Sequence, residues 1–393
     1  MMAGMPDGGC GLREVGVITN MSALVRIAAI VAIYGLLAST AAVIADPSHD
    51  VEASRSQVTA WQDGDAALPG RTPPDVAWRY SVPMGSGGDL AVAQEVVVVA
   101  DADRAVHAVE RRTGVRRWSV PLSAPATGVV ATDDGTVLVS SADGTVTALG
   151  AADGLVQWRR VVGSGQLTEP VVAGDAVVVG SGDREAVALA QGSGELLWRV
   201  PLSADVAGPV VSSGRQVVIA LADGTVLALA VSDGDVVWRA SAGSSIAVAG
   251  AADGEQYVVG TNDRMVHAFD LRSGRHRWGV PIAGSVTTVP VVFGGVICVA
   301  DASGTITALD VDGKMRWSVA LSGLTNDVVP DDARAIVAGG SGGTAHAFDL
   351  ATGHALWGLP VSGAIIDLDV GGEGQLVLLA DTGTIYALRL NGE

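Results

Sequence analysis

A tryptophan recurs every 39 or 40 residues along most of this 393-residue chain. The series contains eight of the nine tryptophans and leaves out only Trp61. Its members are Trp78, Trp118, Trp158, Trp198, Trp238, Trp278, Trp317 and Trp357. A fixed period of about 20–50 residues indicates stacked structural units, and a period near 40 is typical of propeller blades. The series therefore predicts one large repeat domain.

Residues 135–158 show what one repeat contains. Two β-branched runs, Val137–Ser140 and Val146–Leu149, flank Asp143-Gly144, a strong signal for a tight hairpin turn. A second turn follows, and a third strand begins around Trp158. Together with the apolar run that opens the next repeat, this pattern predicts blades of four short antiparallel strands.

The two ends of the repeat region complete each other. The last middle strand, Ile385–Leu388, has no tryptophan after it, and Trp78 has no such strand before it. We therefore expect the segment around Trp78 to supply the outer strand of a blade whose three inner strands are C-terminal. Residues 76–393 are then predicted to form an all-β, eight-bladed propeller, closed without an open sheet edge.

The charge balance narrows the range of partners. The chain has 24 Lys and Arg against 42 Asp and Glu, a formal net charge of −18. The acidic excess lies on the propeller and its linker, because residues 1–45 balance to zero. A strongly acidic surface argues against nucleic acid or anionic lipid headgroups as ligands. Solubility is the plainest reason for the acidic surface.

The N-terminal region predicts export. Residues 27–45 contain no charged residue and are long enough to span a bilayer core. They fit both an uncleaved transmembrane helix and a signal peptide cleaved after Ala45. Residues 1–26 form the cytosolic n-region, and translation from Met1 or from Met21 fits equally. The propeller is expected outside the cytoplasm, either on a single-pass anchor in the cell membrane or secreted.

Residues 46–75 are polar and contain Pro69, Pro73 and Pro74. This composition predicts an extended extracytoplasmic linker. Trp61, inside the linker, has two interpretations: it caps one face of the ring, which we favour, or it anchors a partner.

Two repeats carry a family resemblance. The stretches from His267 to Trp278 and from His346 to Trp357 resemble the tryptophan-docking repeat of quinoprotein (PQQ) propellers, A-x-D-x-x-T-G-x-x-x-W. The resemblance covers roughly residues 78–390. It implies an eight-bladed ring in which the tryptophan of each blade packs against the neighbouring blade.

The quinoprotein-like family has two functional branches. One contains PQQ- and calcium-dependent alcohol and sugar dehydrogenases, and the other contains non-catalytic propellers of the BamB type. The nearly constant repeat length leaves no room for long active-site loops, and the chain lacks the adjacent cysteines that lie over the cofactor in the dehydrogenases. We therefore expect a BamB-like scaffold without a cofactor or catalytic residues, which binds an envelope protein or peptide. The alternatives are a PQQ-dependent dehydrogenase and an extracytoplasmic ligand sensor.

Acidic residues recur 10 to 12 positions after several of the tryptophans, near the starts of inner strands. They are Asp89, Glu169, Asp327, Asp367 and Asp369. Because inner strands surround the ring axis, these residues are candidates for one mouth of the central channel. A cation or a basic peptide would suit such a mouth, although we favour ordinary hydration of the carboxylates.

Three histidines share one repeat position: His107, His267 and His346. Equivalent residues of different blades are related by rotation about the axis, so they cannot converge on one ion. The sequence therefore predicts no metal site.

Overall fold

The computed structural model describes residues 59–60, 73–82, 86–252, 254–331, 335–371 and 374–390. The predicted n-region, the hydrophobic segment 27–45 and Trp61 lie outside these residues. Within the described ranges, no helix is long and apolar enough to cross a membrane.

Eight β-sheets follow one another around a ring, so the predicted all-β, eight-bladed propeller is confirmed. The first four blades follow the chain order, each from its innermost to its outermost strand. Blade 1 consists of β3 (Ser86–Val92), β4 (Val96–Asp101), β5 (Ala105–Glu110) and β6 (Arg116–Pro121). Blade 2 consists of β7 (Ala126–Ala131), β8 (Thr136–Ser141), β9 (Thr145–Gly150) and β10 (Val156–Val161). Blade 3 consists of β11 (Val171–Ala173), β12 (Ala176–Ser181), β13 (Glu185–Ala190) and β14 (Leu196–Pro201). Blade 4 consists of β15 (Val211–Ser213), β16 (Gln216–Ala220), β17 (Thr225–Ala230) and β18 (Val236–Ser241).

The other four blades complete the ring and also take up the N-terminal strands. Blade 5 consists of β19 (Ile246–Ala252), β20 (Gln256–Thr261), β21 (Met265–Asp270) and β22 (His276–Pro281). Blade 6 consists of β23 (Val291–Phe293), β24 (Val296–Ala300), β25 (Thr305–Asp310), β26 (Met315–Ala320) and, outermost, β1 (Thr59–Ala60). Blade 7 consists of β27 (Thr325–Pro330), β28 (Ala335–Gly340), β29 (Thr344–Asp349) and β30 (Ala355–Pro360). Blade 8 consists of β31 (Ile365–Gly371), β32 (Gln375–Ala380), β33 (Thr384–Arg389) and β2 (Asp75–Ser81).

Blade 8 closes the ring as the sequence predicts. Strand β2 runs antiparallel to β33, with Val76 opposite Leu388 and Ser81 opposite Thr384. The N-terminal strand is therefore the outer strand of a blade made by the C-terminus.

Blade 6 differs from the predicted four strands, because β1 adds a fifth. Thr59 and Ala60 pair in parallel with Val319 and Ala320 of β26. This short strand belongs to the predicted linker, whose polar composition gave no strand signal.

Hydrophobic packing is concentrated in the two middle strands of each blade. In β4 and β8 every residue is buried, and the same holds for β12, β20 and β28. These strands are rich in Val, Ala and Leu, which pack well on the pleated faces between adjacent blades. The core is therefore continuous from blade to blade.

Each repeated tryptophan lies on an outer strand, and seven of them donate a hydrogen bond to the blade that follows. The indole Nε1 reaches the backbone carbonyl 33 residues later, at 2.7–3.0 Å. Trp158 and Gln191 form one such pair, at 2.7 Å. Trp357 packs in a cluster with Leu390.

The repeat glycine lies directly under the docked ring. Gly194 has φ +68°, and a Cβ built on it would lie 2.5 Å from Cε3 of Trp158. Any larger residue there would meet both the indole ring and the strain of a left-handed backbone. Equivalent glycines receive the ring at six other junctions: Gly114, Gly154, Gly234, Gly274, Gly313 and Gly353.

Candidate functional site

The aspartates predicted at the channel mouth bind the backbone of the next blade. The Val129 N–H of blade 2 donates to Asp89 Oδ2 of blade 1 at 2.5 Å. The Leu368 N–H of blade 8 donates to Asp327 Oδ2 of blade 7 at 2.9 Å. An inner strand has no further strand on its axial side, so these carboxylates cap N–H groups that would otherwise need water.

Blade 8 supplies two such caps to blade 1. The Leu90 N–H donates to Asp367 Oδ2 and the Val92 N–H donates to Asp369 Oδ2, both at 2.8 Å. The other oxygen of each aspartate accepts a bond from the next residue of its own strand. Burial raises the pKa of Asp369, an effect opposed by the N–H groups of Val92 and Val370.

Glu169 is placed differently. It precedes the inner strand of blade 3 and lies against Gly128 of blade 2, where a Cβ would come 2.4 Å from the Glu169 Cα. Gly128 pairs with Ser140 just as Asp327 pairs with Gly339, so glycine replaces aspartate at this register. The two backbones approach there without a carboxylate between them.

Four of the five candidate residues thus join inner strands, and we call blades 7, 8, 1 and 2 the stapled arc.

Blades 3 to 6 treat the axial edge differently, and we call them the short-strand arc because three of their four inner strands are short. The inner strands of blades 3, 4 and 6 have three residues each. Pro170, Pro209 and Pro290 come just before them, and proline has no N–H to satisfy. In blade 5 the inner strand has two register shifts, and the Gly250 N–H donates to the buried Tyr257 hydroxyl.

The histidines at the shared repeat position lie in three different blades, as their spacing requires. His107 Nε2 is 2.8 Å from Asp101 Oδ2, and both side chains are buried. His346 is buried in blade 7. His267 instead meets His276 of the same blade, a residue that the sequence analysis did not single out. No group of three His, Cys, Asp or Glu side chains among the described residues is arranged to hold a metal ion.

A second feature, which sequence reasoning missed, lies on the outside of the ring. Among the residues that the structure describes, the large exposed apolar side chains all lie on outer strands or their adjoining turns. Seven of the ten belong to blades 2, 3 and 4, and we call these seven the apolar band. They are Leu155, Val156, Val161, Leu196, Leu197, Val236 and Val237.

A β-bulge before each repeated tryptophan explains the band. In blade 3, Leu189 pairs with Leu196 while Ala188 pairs with Trp198, so Leu197 is left without a partner in the ladder. A bulge places two successive side chains on one side. Leu196 and Leu197 are therefore 44% and 49% exposed, while Trp198 points inward. In blades 3 and 4 the sequence signal was an apolar pair directly before the tryptophan, which an outer strand cannot bury.

Arginines accompany the apolar band. Arg159, Arg160, Arg199 and Arg239 follow the tryptophans of the same three blades and are exposed. Arg199 forms an ion pair with Glu185 and donates to the Val162 carbonyl. The rim of blades 2–4 therefore presents apolar and cationic groups together on an otherwise acidic protein.

Three comparisons relate this architecture to known proteins. The profile of the family described as "Outer membrane protein assembly factor BamB" matches residues 70–169, 162–288 and 262–392. The fold is that of an eight-bladed propeller with tryptophan-docking repeats, and the matches run through nearly all of it. The chain therefore belongs to this BamB-like PQQ-repeat family, in agreement with the resemblance in its repeats. A comparison with curated protein sequences gave no match.

Solved structures show the same fold at low sequence identity. BamB from Moraxella catarrhalis is 18% identical with a TM-score of 0.67, over 81% of this chain and all of that one. The computationally designed Ika8 protein is 19% identical with a TM-score of 0.67, over 79% and 98%. Sqt1 of Saccharomyces cerevisiae is 12% identical with a TM-score of 0.73, over 82% and 100%. A designed protein in this group underlines that the fold alone does not define a function.

Proposed function

We propose that this chain is a non-catalytic protein-binding scaffold of the cell envelope, exported and held at the membrane by residues 27–45. The apolar band is the observation that carries this proposal. Soluble domains rarely gather exposed apolar side chains at one place unless a partner covers them. Membership of the BamB-like family and the 19 uncharged residues of the N-terminal segment support the proposal.

The partner that fits the band is an extended segment of an envelope protein, apolar with acidic residues, that adds to the edge of β14. Blade 3 is the middle of the three blades, and β14 is the outermost of its described strands. In blade 6, β1 already pairs with the equivalent outer edge, so this edge accepts a strand. Strand addition supplies backbone hydrogen bonds, and pockets for alternate side chains give specificity. The four arginines complement acidic residues on such a segment.

The channel mouth suits this role less well. Asp327, Asp367 and Asp369 each use both carboxylate oxygens to bind backbone N–H groups. A basic ligand would have to compete with these bonds. The outer rim requires no such rearrangement.

Site-specific photo-crosslinking in cells tests the proposal. A crosslinking amino acid at Leu197 should trap one envelope protein, and peptide mapping should place the link in an extended segment. The matched control is Arg277, which also comes directly before a repeated tryptophan but lies in blade 5. That segment, made as a peptide, should bind the full-length chain and lose at least tenfold in affinity to Leu197→Ser/Val237→Ser. Equal crosslinking at both positions, or unchanged affinity of the variant, would refute the docking surface.

Calorimetric titration with PQQ and calcium tests the enzymatic alternative. The scaffold predicts no saturable binding. Micromolar or tighter binding would overturn it and direct the work to dye-linked oxidation of alcohols and sugars.

A further inference from the structure

Two imidazoles meet on the rim of blade 5. His267 lies on β21 and His276 begins β22, and His267 Nδ1 is 3.1 Å from His276 Nε2. Phe269 lies beside them, with its ring centroid 5.4 Å from that of His276 in an edge-to-face arrangement. One nitrogen of each ring thus faces the other at hydrogen-bond distance near the surface.

The other seven blades show that this pair does not follow from the repeat. At the position of His276, two residues before the tryptophan, they carry Val76, Arg116, Val156, Leu196, Val236, Met315 and Ala355. Blades 1 and 7 have a histidine at the position of His267 but none at that of His276. Because the repeat does not require the second imidazole, its presence in blade 5 calls for a separate reason.

Gly279 leaves the two nitrogens uncovered. It pairs with His267 across the ladder, and a Cβ built on it would lie 2.8 Å from His267 Nδ1 and 3.5 Å from His276 Nε2. Blade 7 has Gly358 at this position, and the other six blades have Arg or Ser: Arg79, Ser119, Arg159, Arg199, Arg239 and Ser318. In blade 5 the space next to the two nitrogens is therefore free of a side chain from this position.

We propose that His267 and His276 form a two-imidazole site for a divalent transition-metal ion of the copper or zinc type. Imidazole is a preferred ligand of these ions, with metal–nitrogen bonds of ~2.0–2.1 Å. Two such bonds at a tetrahedral angle hold their nitrogens about 3.3 Å apart, so the pair needs to open by only a few tenths of an ångström. Water or a partner carboxylate completes the coordination. This site is independent of the proposed docking surface on blades 2–4.

Burial and nearby charges both act on the His267 ring. Burial, followed by the neighbouring His276, lowers the pKa of His267, while the Asp263 carboxylate acts in the opposite direction. The negative charge of Asp263 attracts the ion and any proton alike.

Titration of the full-length chain with Cu²⁺ tests the site. We expect one ion to bind with a dissociation constant on the order of 1 μM, and its electron paramagnetic resonance spectrum should show coupling to two nitrogens. His276→Val, which installs the Val236 residue of blade 4, should weaken binding at least tenfold and remove the two-nitrogen signature. Gly279→Ala keeps both ligands but crowds them, and should weaken binding severalfold.

The matched control is His354→Ala, because His354 is an exposed histidine of blade 7 away from the pair. It should bind Cu²⁺ as the unchanged chain does. Binding that survives His276→Val with the same affinity and spectrum would overturn the proposal, as would the absence of saturable binding to the unchanged chain. Thermal melting of each variant shows whether the blade remains folded.

Discussion

The stapled arc and the short-strand arc satisfy the axial edges of their inner strands in different ways. In blades 7, 8, 1 and 2, inner strands of six or seven residues are present, and carboxylates from one blade cap N–H groups of the next. In blades 3, 4 and 6, inner strands of three residues follow prolines. The stapled arc supplies carboxylate acceptors for the N–H groups of its inner strands, whereas the short inner strands of the other arc carry fewer such N–H groups.

The difference has consequences for how the ring is held together. Inner strands of neighbouring blades pack extensively in the stapled arc and much less in the short-strand arc. The docked tryptophans, by contrast, join blades within both arcs. The outer part of the ring is thus uniform, while the inner part depends on position. Substitutions at the outer tryptophan junctions and at the inner-strand aspartates should separate the stabilising effects of the two kinds of contact.

The largest effect is expected from removing residues 373–393. This deletion takes away β32 and β33, which connect the N-terminal strand β2 to the ring within the stapled arc. Without them β2 and β31 have no partner in their sheet, so the truncated chain should lose its cooperative melting transition. Circular dichroism on heating measures this. A chain lacking only residues 391–393 is the control, and a long truncation that melts like it would refute closure through blade 8.

Gly194→Ala should destabilise the protein by about 3 kcal/mol, the sum of overpacking against Trp158 and left-handed backbone strain. Gly353→Ala, where a glycine of blade 7 meets Trp317 of blade 6, should cost the same within about 1 kcal/mol. Gly214→Ala separates the two causes, because its φ is +63° with nothing within 4 Å of the added Cβ. It should cost only about 1–2 kcal/mol. Denaturant unfolding measures all three, and unequal effects at Gly194 and Gly353 would show that docking is not uniform.

Asp327→Ala should cost about 2 kcal/mol of unfolding free energy, because it leaves the N–H groups of Val328 and Leu368 without their carboxylate acceptor. Asp233→Ala is the matched control in the short-strand arc. That carboxylate bonds only within its own exposed turn, to Ser232 and Asp235. It should change stability by no more than about 0.5 kcal/mol. Equal losses would mean that the carboxylates do not staple blades.

The smallest effects concern pH, where one carboxylate from each arc, Asp270 and Asp369, should respond with opposite sign. The Arg277 and Ser273 bonds hold the pKa of Asp270 below its usual value, so its stabilising contribution is lost as pH falls through the folded pKa. Asp270→Asn should therefore flatten the loss of stability on acidification below about pH 4.

Burial raises the pKa of Asp369, so the folded state binds this proton more tightly than the unfolded chain does. Its contribution is present at low pH and is lost as pH rises through the folded pKa. Asp369→Asn should therefore steepen the rise of stability with pH above about pH 4. Denaturant unfolding across a pH series measures both slopes, and changes of the same sign would contradict the assignment.

The sequence predicts the fold well because its main determinants are periodic. The tryptophan spacing fixes the number of blades, and the unmatched strands around Trp78 and Ile385 indicate closure. The fifth strand β1 could not be predicted, since Thr59-Ala60 has no pattern and its pairing depends on the edge of blade 6. The apolar band was missed because a bulge overrides the alternation expected of a strand. The pairing of His267 with His276 could not be found by comparing blades, because only one of the two histidines belongs to the repeat.

The closure of the ring also sets an order of events during biosynthesis. Val76 lies near the start of the propeller and its partner Leu388 near the end, so strand β2 must wait for β33. Bringing such distant segments together carries a large loop-closure entropy, and folding of topologies like this is slow. Blades 1 to 7 can form as their strands become available, but the seam closes only when synthesis is complete. A chain with this connectivity leaves the ribosome before its ring has closed.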